Sequence, residues 1–233
     1  MKNLLKKKNI KFEPKKLENG YSGYILYSKC KIDDIFDKNK KSLYEHFKYI
    51  YDNCKDFSNI KEENETYTYR YNYYLEYNKN AKNNATIIMA NPAFAYSKKL
   101  DTTISNIITF FKAYKKLEIK SFDIVNLYPV RMPKLDCLSC FNSFLDFEEE
   151  KYHGLLKEYL EQKSNSGSIL IAAWGKDYNV KAKEIFEDCL IKFKAFQKTK
   201  DGAPVHFAIY NKYKTTINNL IKNNKYQMPD LDV

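Results

Sequence analysis

Three short apolar runs decide what this chain can fold into. They are "ATIIMA" (85–90), "SFDIVNLYPV" (121–130) and "SGSILIAAWG" (166–175). Each is rich in β-branched and small apolar residues, is too short for a helix, and is closed by Pro or Gly or by a polar residue. Each therefore reads as a buried strand. The stretches between them have a different period. After Asp101 or Thr102, either of which can cap a helix, Ile104, Ile107, Ile108 and Phe111 recur at helical spacing. "FEEEKYHGLLKEYLEQ" (147–162) is amphipathic, and Ala182, Ile185, Phe186, Cys189, Leu190 and Phe193 form a further apolar stripe. "FKAFQKT" (193–199) suits a short strand, "DGAP" (201–204) a turn, and "NKYKTTINNLIKN" (211–223) a last helix. Strands alternating with helices predict an α/β fold: a central, mostly parallel sheet of four or five strands with helices on both faces.

Residues 1–60 read as an N-terminal extension and 61–233 as the α/β domain. Within the extension, "YSGYILYS" (21–28) suits a strand. "KKSLYEHFKYIYDNC" (40–54) suits a helix with Leu43, Phe47, Ile50 and Cys54 on one face. The tyrosine-rich "NETYTYRYNYYLEY" (64–77) then has strand character. A hydrophobic content of 44% is enough for a core. No apolar run reaches the roughly 18 residues that span a bilayer. The basic start "MKNLLKKKNIKF" lacks the apolar centre of a secretion signal, so a soluble cytoplasmic chain is expected.

The net charge of +11 is almost all lysine, since the only arginines are Arg70 and Arg131. It fits a polyanionic partner. It fits equally a solvated lysine surface, with the first 16 residues as a flexible tail. Of the five cysteines, Cys137 and Cys140 form one C-x-x-C, with no second pair and only an isolated His153 nearby. Free thiols are expected, with no metal and no cofactor.

In parallel α/β sheets, ligands bind beyond the carboxyl ends of the strands. Three runs here end in residues suited to hydrogen bonding or close approach: Asn91-Pro92, Asn126 and Trp174-Gly175. A fourth segment, "DGAPVHFAIY", delivers His206 after a turn. Taken singly, each has a plain reading as a cap, a packing residue or a surface histidine. Taken together, they predict one pocket at the carboxyl edge.

The set "YRY", "NPA" followed by "DTT", "VNLYPVR", "AAWG" and "TKDGAPVHFAIY", spanning about Tyr67 to Tyr210, resembles domain-of-unknown-function family 1643. Ala93 stands where that family's pattern has Ser, and Phe207 where it has Pro. More distantly, the order of motifs is similar to the uracil-DNA glycosylase superfamily. That resemblance implies a three-layer α/β/α sandwich with a nucleobase site. Asn91 and His206 would be its catalytic residues. Asn91 would hold a water, and His206 would donate to a base carbonyl as negative charge develops. Asn126 would read a pyrimidine edge with its amide donor and acceptor. Phe94 or Tyr96 would stack on the ring. Pro92, the small Ala93, Asp101, Trp174 and Gly175 would complete the substrate site. Lys98, Lys99, Lys198 and Lys200 would meet phosphates of a nucleic acid or nucleotide. The resemblance leaves three classes of function open: a glycosylase acting on uracil or a modified pyrimidine, a non-catalytic nucleotide or nucleobase sensor, and an interaction protein whose site has decayed.

Overall fold

The computed structural model describes residues 10–16, 22–29, 67–92, 102–129 and 149–231. The three apolar runs become adjacent parallel strands. β4 (Asn83–Met89) lies in the middle, with β5 (Ile119–Asn126) on one side and β6 (Ile169–Ala172) on the other. Short β7 (Phe193–Lys194) extends the parallel part beyond β6, and β8 (Asp230–Leu231) closes that end antiparallel. Beyond β5, the tyrosine-rich run forms β3 (Tyr67–Glu76), antiparallel to it. β2 (Ser22–Lys29) pairs with β3, and β1 (Ile10–Lys16) pairs with β2, both antiparallel.

Among the described residues the sheet thus has eight strands, in the order β1-β2-β3-β5-β4-β6-β7-β8. It is mixed rather than mostly parallel. Only residues 17–21 separate β1 from β2, and a parallel crossover needs about a dozen residues. The stretch read as a flexible tail contributes Ile10–Lys16 as the outer strand of this sheet. Pro14 is tolerated there because, among the described residues, the strand pairs on one side only. The helix expected at 40–54 lies outside the described residues.

Helices cover both faces of the sheet. α1 (Thr102–Ala113) and α4 (Tyr210–Lys222) lie on one face, which we call the front. There α1 buries Ile104, Ile107, Ile108, Phe110 and Phe111, each burial worth about 1.5–3 kcal/mol. Phe110 sits within an aromatic cluster with Phe196, Phe207, Tyr210 and Tyr226. The back face carries α2 (Glu149–Asn165) and α3 (Asn179–Phe186), packed with Trp174 and Phe193. Side chains alternate accordingly along β5. Phe122 and Ile124 point to the front, Val125 and then Leu127 to the back.

The apolar stripe read over residues 182–193 is interrupted. α3 ends at Phe186. Leu190 is fully exposed, at 102%, and Phe193 enters the sheet as part of β7. A stripe at helical spacing does not distinguish a longer helix from a helix, a turn and a strand that serve the same core.

Candidate functional site

The parallel ladder continues one step past the strand ends. Met89 is the register partner of Asn126. Leu127 N–H donates to Met89 O at 2.8 Å, Tyr128 N–H to Ala90 O at 2.9 Å, and Ala173 N–H to Ile88 O at 2.8 Å. The ends of β5, β4 and β6 therefore stay side by side up to Asn126, Ala90 and Ala173. Met89 and Ala173 belong to the front core, and Ala90 and Trp174 to the back core. Alternation along β5 then assigns Asn126 to the front face, the side of α1 and α4, while Asn91 and Gly175 lie just past the ends of β4 and β6.

Asn126 is wholly buried, and neither its amide oxygen nor its amide nitrogen has a hydrogen-bond partner among the described residues. Its backbone, in contrast, is held firmly. Tyr152 of α2 donates its hydroxyl to Asn126 O at 2.7 Å, and His153 Nε2 lies 3.0 Å from Leu127 O. The back face thus pins the main chain while the side chain projects forward unpartnered. A buried polar group left unsatisfied costs about 1–3 kcal/mol. A wholly buried amide with both atoms orphaned needs a reason.

His206 follows a tight hairpin. Thr199 N–H donates to Ala203 O at 2.8 Å, Val205 N–H to Gln197 O at 2.9 Å, and Lys198 bridges to Pro204. Gly202 takes the left-handed turn position at φ +82°. His206 caps a single turn of 3₁₀ helix (Phe207–Ile209), where its Nδ1 accepts Ala208 N–H at 3.0 Å. With Nδ1 an acceptor, the ring proton of the neutral imidazole sits on Nε2, the donor tautomer. Buried Asn106 of α1 clamps the segment from above, donating to Phe207 O at 2.9 Å.

Gly175 brings the end of β6 to this histidine. Its φ of +86° disfavours any other residue, and a Cβ there would lie 3.8 Å from His206 Cβ. The next residue, Lys176, pairs with Asp201 of the hairpin at 2.7 Å, and that hydrogen bond raises the lysine's pKa above its usual value. This pair is solvated and contributes little to stability. It joins the two loops that flank Gly175 and His206.

The structure sets Gly175 next to His206, close enough that an added Cβ would meet the histidine, and it sets Asn126 beside the end of β4. β5 and β6 are two strand spacings apart, roughly 10 Å of sheet. Pro92 is buried and Asn91 partly exposed. Trp174 belongs to the back core with Phe186 and Phe193, so at this strand end the front face is reached by Gly175. Lys198 is partly buried and Lys200 exposed, both on the hairpin. Ala93, Phe94, Tyr96, Lys98, Lys99 and Asp101 lie outside the described residues, as do Cys137 and Cys140. No metal-competent group of His, Cys, Asp and Glu occurs among the described residues. Within them no helix is long and apolar enough to cross a membrane.

Three supporting residues escape sequence reasoning. Tyr152 and His153 sit in a helix whose pattern says only amphipathic. Asn106 did leave a signal: it is a polar residue inside the apolar stripe of α1.

A family model described as "Protein of unknown function (DUF1643)" matches residues 70–206, more than half of the chain. That match takes in Asn91, Asn126, Gly175 and His206. No curated protein and no solved structure matches the chain.

Proposed function

We propose that this chain, which belongs to the DUF1643 family, recognises a nucleobase at the carboxyl edge of its sheet and cleaves the N-glycosidic bond of uracil or a modified pyrimidine. The observation that carries the reading is Asn126, a wholly buried amide with no partner among the described residues, at the end of a central strand. An amide offers one acceptor and two donors in a plane. That matches the alternating donor and acceptor edge of a pyrimidine. A base seated there would satisfy both orphaned atoms.

The chemistry needs a leaving base stabilised as an anion. A water oxygen bonds to the sugar carbon, the carbon–nitrogen bond breaks, and the base leaves with the bonding pair. The proton released by the water ends on the base. The Nε2–H of His206 supplies a donor to a base carbonyl as that charge grows, and the Nδ1 contact to Ala208 N–H holds the ring in the required tautomer. Asn91 positions the water. The α/β/α layering of the glycosylase superfamily is consistent with helices on both faces of the sheet, and Lys198 and Lys200 flank the histidine where a phosphate backbone would run. One feature favours a second reading, a nucleotide or nucleobase sensor. Asn91 is a carboxamide and takes no proton from water.

The deciding test is incubation with oligonucleotides and nucleosides carrying uracil or modified pyrimidines, read as released base. Release that disappears in His206→Ala supports the enzyme. Tight binding without release supports the sensor. Neither binding nor release across the panel overturns both.

A further inference from the structure

Asn106 is the one polar residue among the buried residues of α1. An amide placed in an apolar stripe costs free energy unless it is hydrogen-bonded. Its Nδ2 donates to Phe207 O at 2.9 Å and reaches Ala208 O at 3.4 Å. Both neighbours are carbonyls, which only accept, so chemistry fixes which end of the amide faces them.

The turn that Asn106 grips closes without it. Tyr210 N–H donates to Phe207 O, and Ile209 N–H donates to His206 O at 3.1 Å. Asn106 adds a tie between elements 101 residues apart. α1 shares the front core with Ile87 and Met89 of β4 and Ile124 of β5. The tie therefore registers the His206 turn against the strands that lead to the candidate site.

The tie meets the histidine through a single peptide group. Phe207 C=O and Ala208 N–H belong to the same planar unit and point opposite ways. Asn106 donates to the oxygen of that unit, and its N–H donates to His206 Nδ1 at 3.0 Å. A donor on the carbonyl also polarises the N–H of the same peptide and strengthens its bond. A backbone N–H can only donate, so Nδ1 carries no proton and the neutral ring holds its proton on Nε2. Turning the peptide plane would release that choice.

We infer that Asn106 is a positioning residue for His206: it fixes the Phe207–Ala208 peptide plane, and the plane sets the imidazole as an Nε2–H donor. This inference rests on the reading of His206 as the donor to the ligand.

The test is NMR of the histidine ring nitrogens in the full chain. There are three histidines, and the spectrum of His206→Gln identifies the signals of His206. At a pH where the ring is neutral, wild-type protein should show Nε2 protonated and Nδ1 bare. Asn106→Leu removes the donor at similar size, and should populate both tautomers while the fold persists. Asn106→Gln keeps the donor on a longer arm, and should restore part of the wild-type signature. A wild-type ring protonated on Nδ1 overturns the inference. So does a folded Asn106→Leu whose ring signals are unchanged. Loss of the fold in both variants makes Asn106 a structural residue and also overturns it. These arms need no ligand, so they are independent of the base-release panel. Where the panel shows release, Asn106→Leu should lower kcat roughly tenfold to hundredfold, with little change in KM, as a misplaced donor does. An unchanged kcat overturns the positioning role. Neither binding nor release across the panel overturns the ligand reading alone.

Discussion

Asp123 and Asn126 stand three residues apart on β5, both buried, on opposite faces. On the back face the carboxylate of Asp123 is fully engaged. Lys163 Nζ lies 2.5 Å from one oxygen, and Asn72 Nδ2 lies 3.3 Å from the other while also donating to Tyr159 at 2.9 Å. On the front face the amide of Asn126 has no partner among the described residues. The first is a polar group whose partners were supplied by folding, tying β3, β5 and α2 together. The second lies on the same strand at the same depth, and lacks them among the described residues. The difference is between a buried polar group whose partners folding supplies and one that, under the proposed reading, a ligand would satisfy.

The strongest way to break this comparison is at Asp123. Asp123→Ala leaves Lys163 and Asn72 facing a partner that is gone, and should cost about 3–5 kcal/mol in urea unfolding. A loss under about 1 kcal/mol would make the back-face cluster dispensable and the contrast empty. Next in size is His206→Ala. If base release is found, the rate should fall by about 3 kcal/mol of transition-state stabilisation, more than a hundredfold. Folding stability should fall by less, about 1 kcal/mol for each hydrogen bond the ring makes, the one with Ala208 N–H among them. Equal losses in rate and fold would mark His206 as a strut.

The two tyrosines of the front core repeat the comparison on a smaller scale. Tyr226 donates to Phe196 O at 2.6 Å, whereas the buried hydroxyl of Tyr210 has no partner among the described residues. Tyr226→Phe should cost about 1 kcal/mol and Tyr210→Phe close to nothing. Burial raises the pKa of both phenols above the ordinary value of about 10. In the unfolded chain they ionise first, so the folded state holds more protons. Its stability is intact below about pH 10 and declines as pH rises past it, by up to about 1.4 kcal/mol per pH unit for each phenol. Removing either hydroxyl should flatten the alkaline limb of a stability profile.

Asn126 itself should also show only a small effect on stability. Asn126→Leu exchanges an unsatisfied amide for an apolar group of similar size. Stability should change by less than about 1 kcal/mol, or rise, while nucleobase binding is lost. A loss of several kcal/mol would show that the amide has protein partners after all.

Sequence patterns placed the strands well because burial writes itself into composition. Ile87, Ile124 and Ile171 had to be apolar, and the runs around them became β4, β5 and β6 in one sheet. Asn126 and Gly175 were legible as candidates because polar and glycine residues that interrupt such runs are conspicuous. Trp174 was conspicuous for the same reason, yet it packs on the back face with Phe186. The pattern could not say which face the chain would turn it to.

The sequence by itself determined that the three central runs are strands separated by helices, and that several polar residues fall at strand ends. Both follow from periods of two and 3.6 residues, which are local. The sequence did not show β1, or where α3 ends. Only the tertiary structure decided that β3 runs against β5, and that Tyr152 and His153 hold the backbone at Asn126 and Leu127 from behind. Those outcomes depend on which strands become neighbours. Partners 26 or more residues apart leave no periodic trace in the chain.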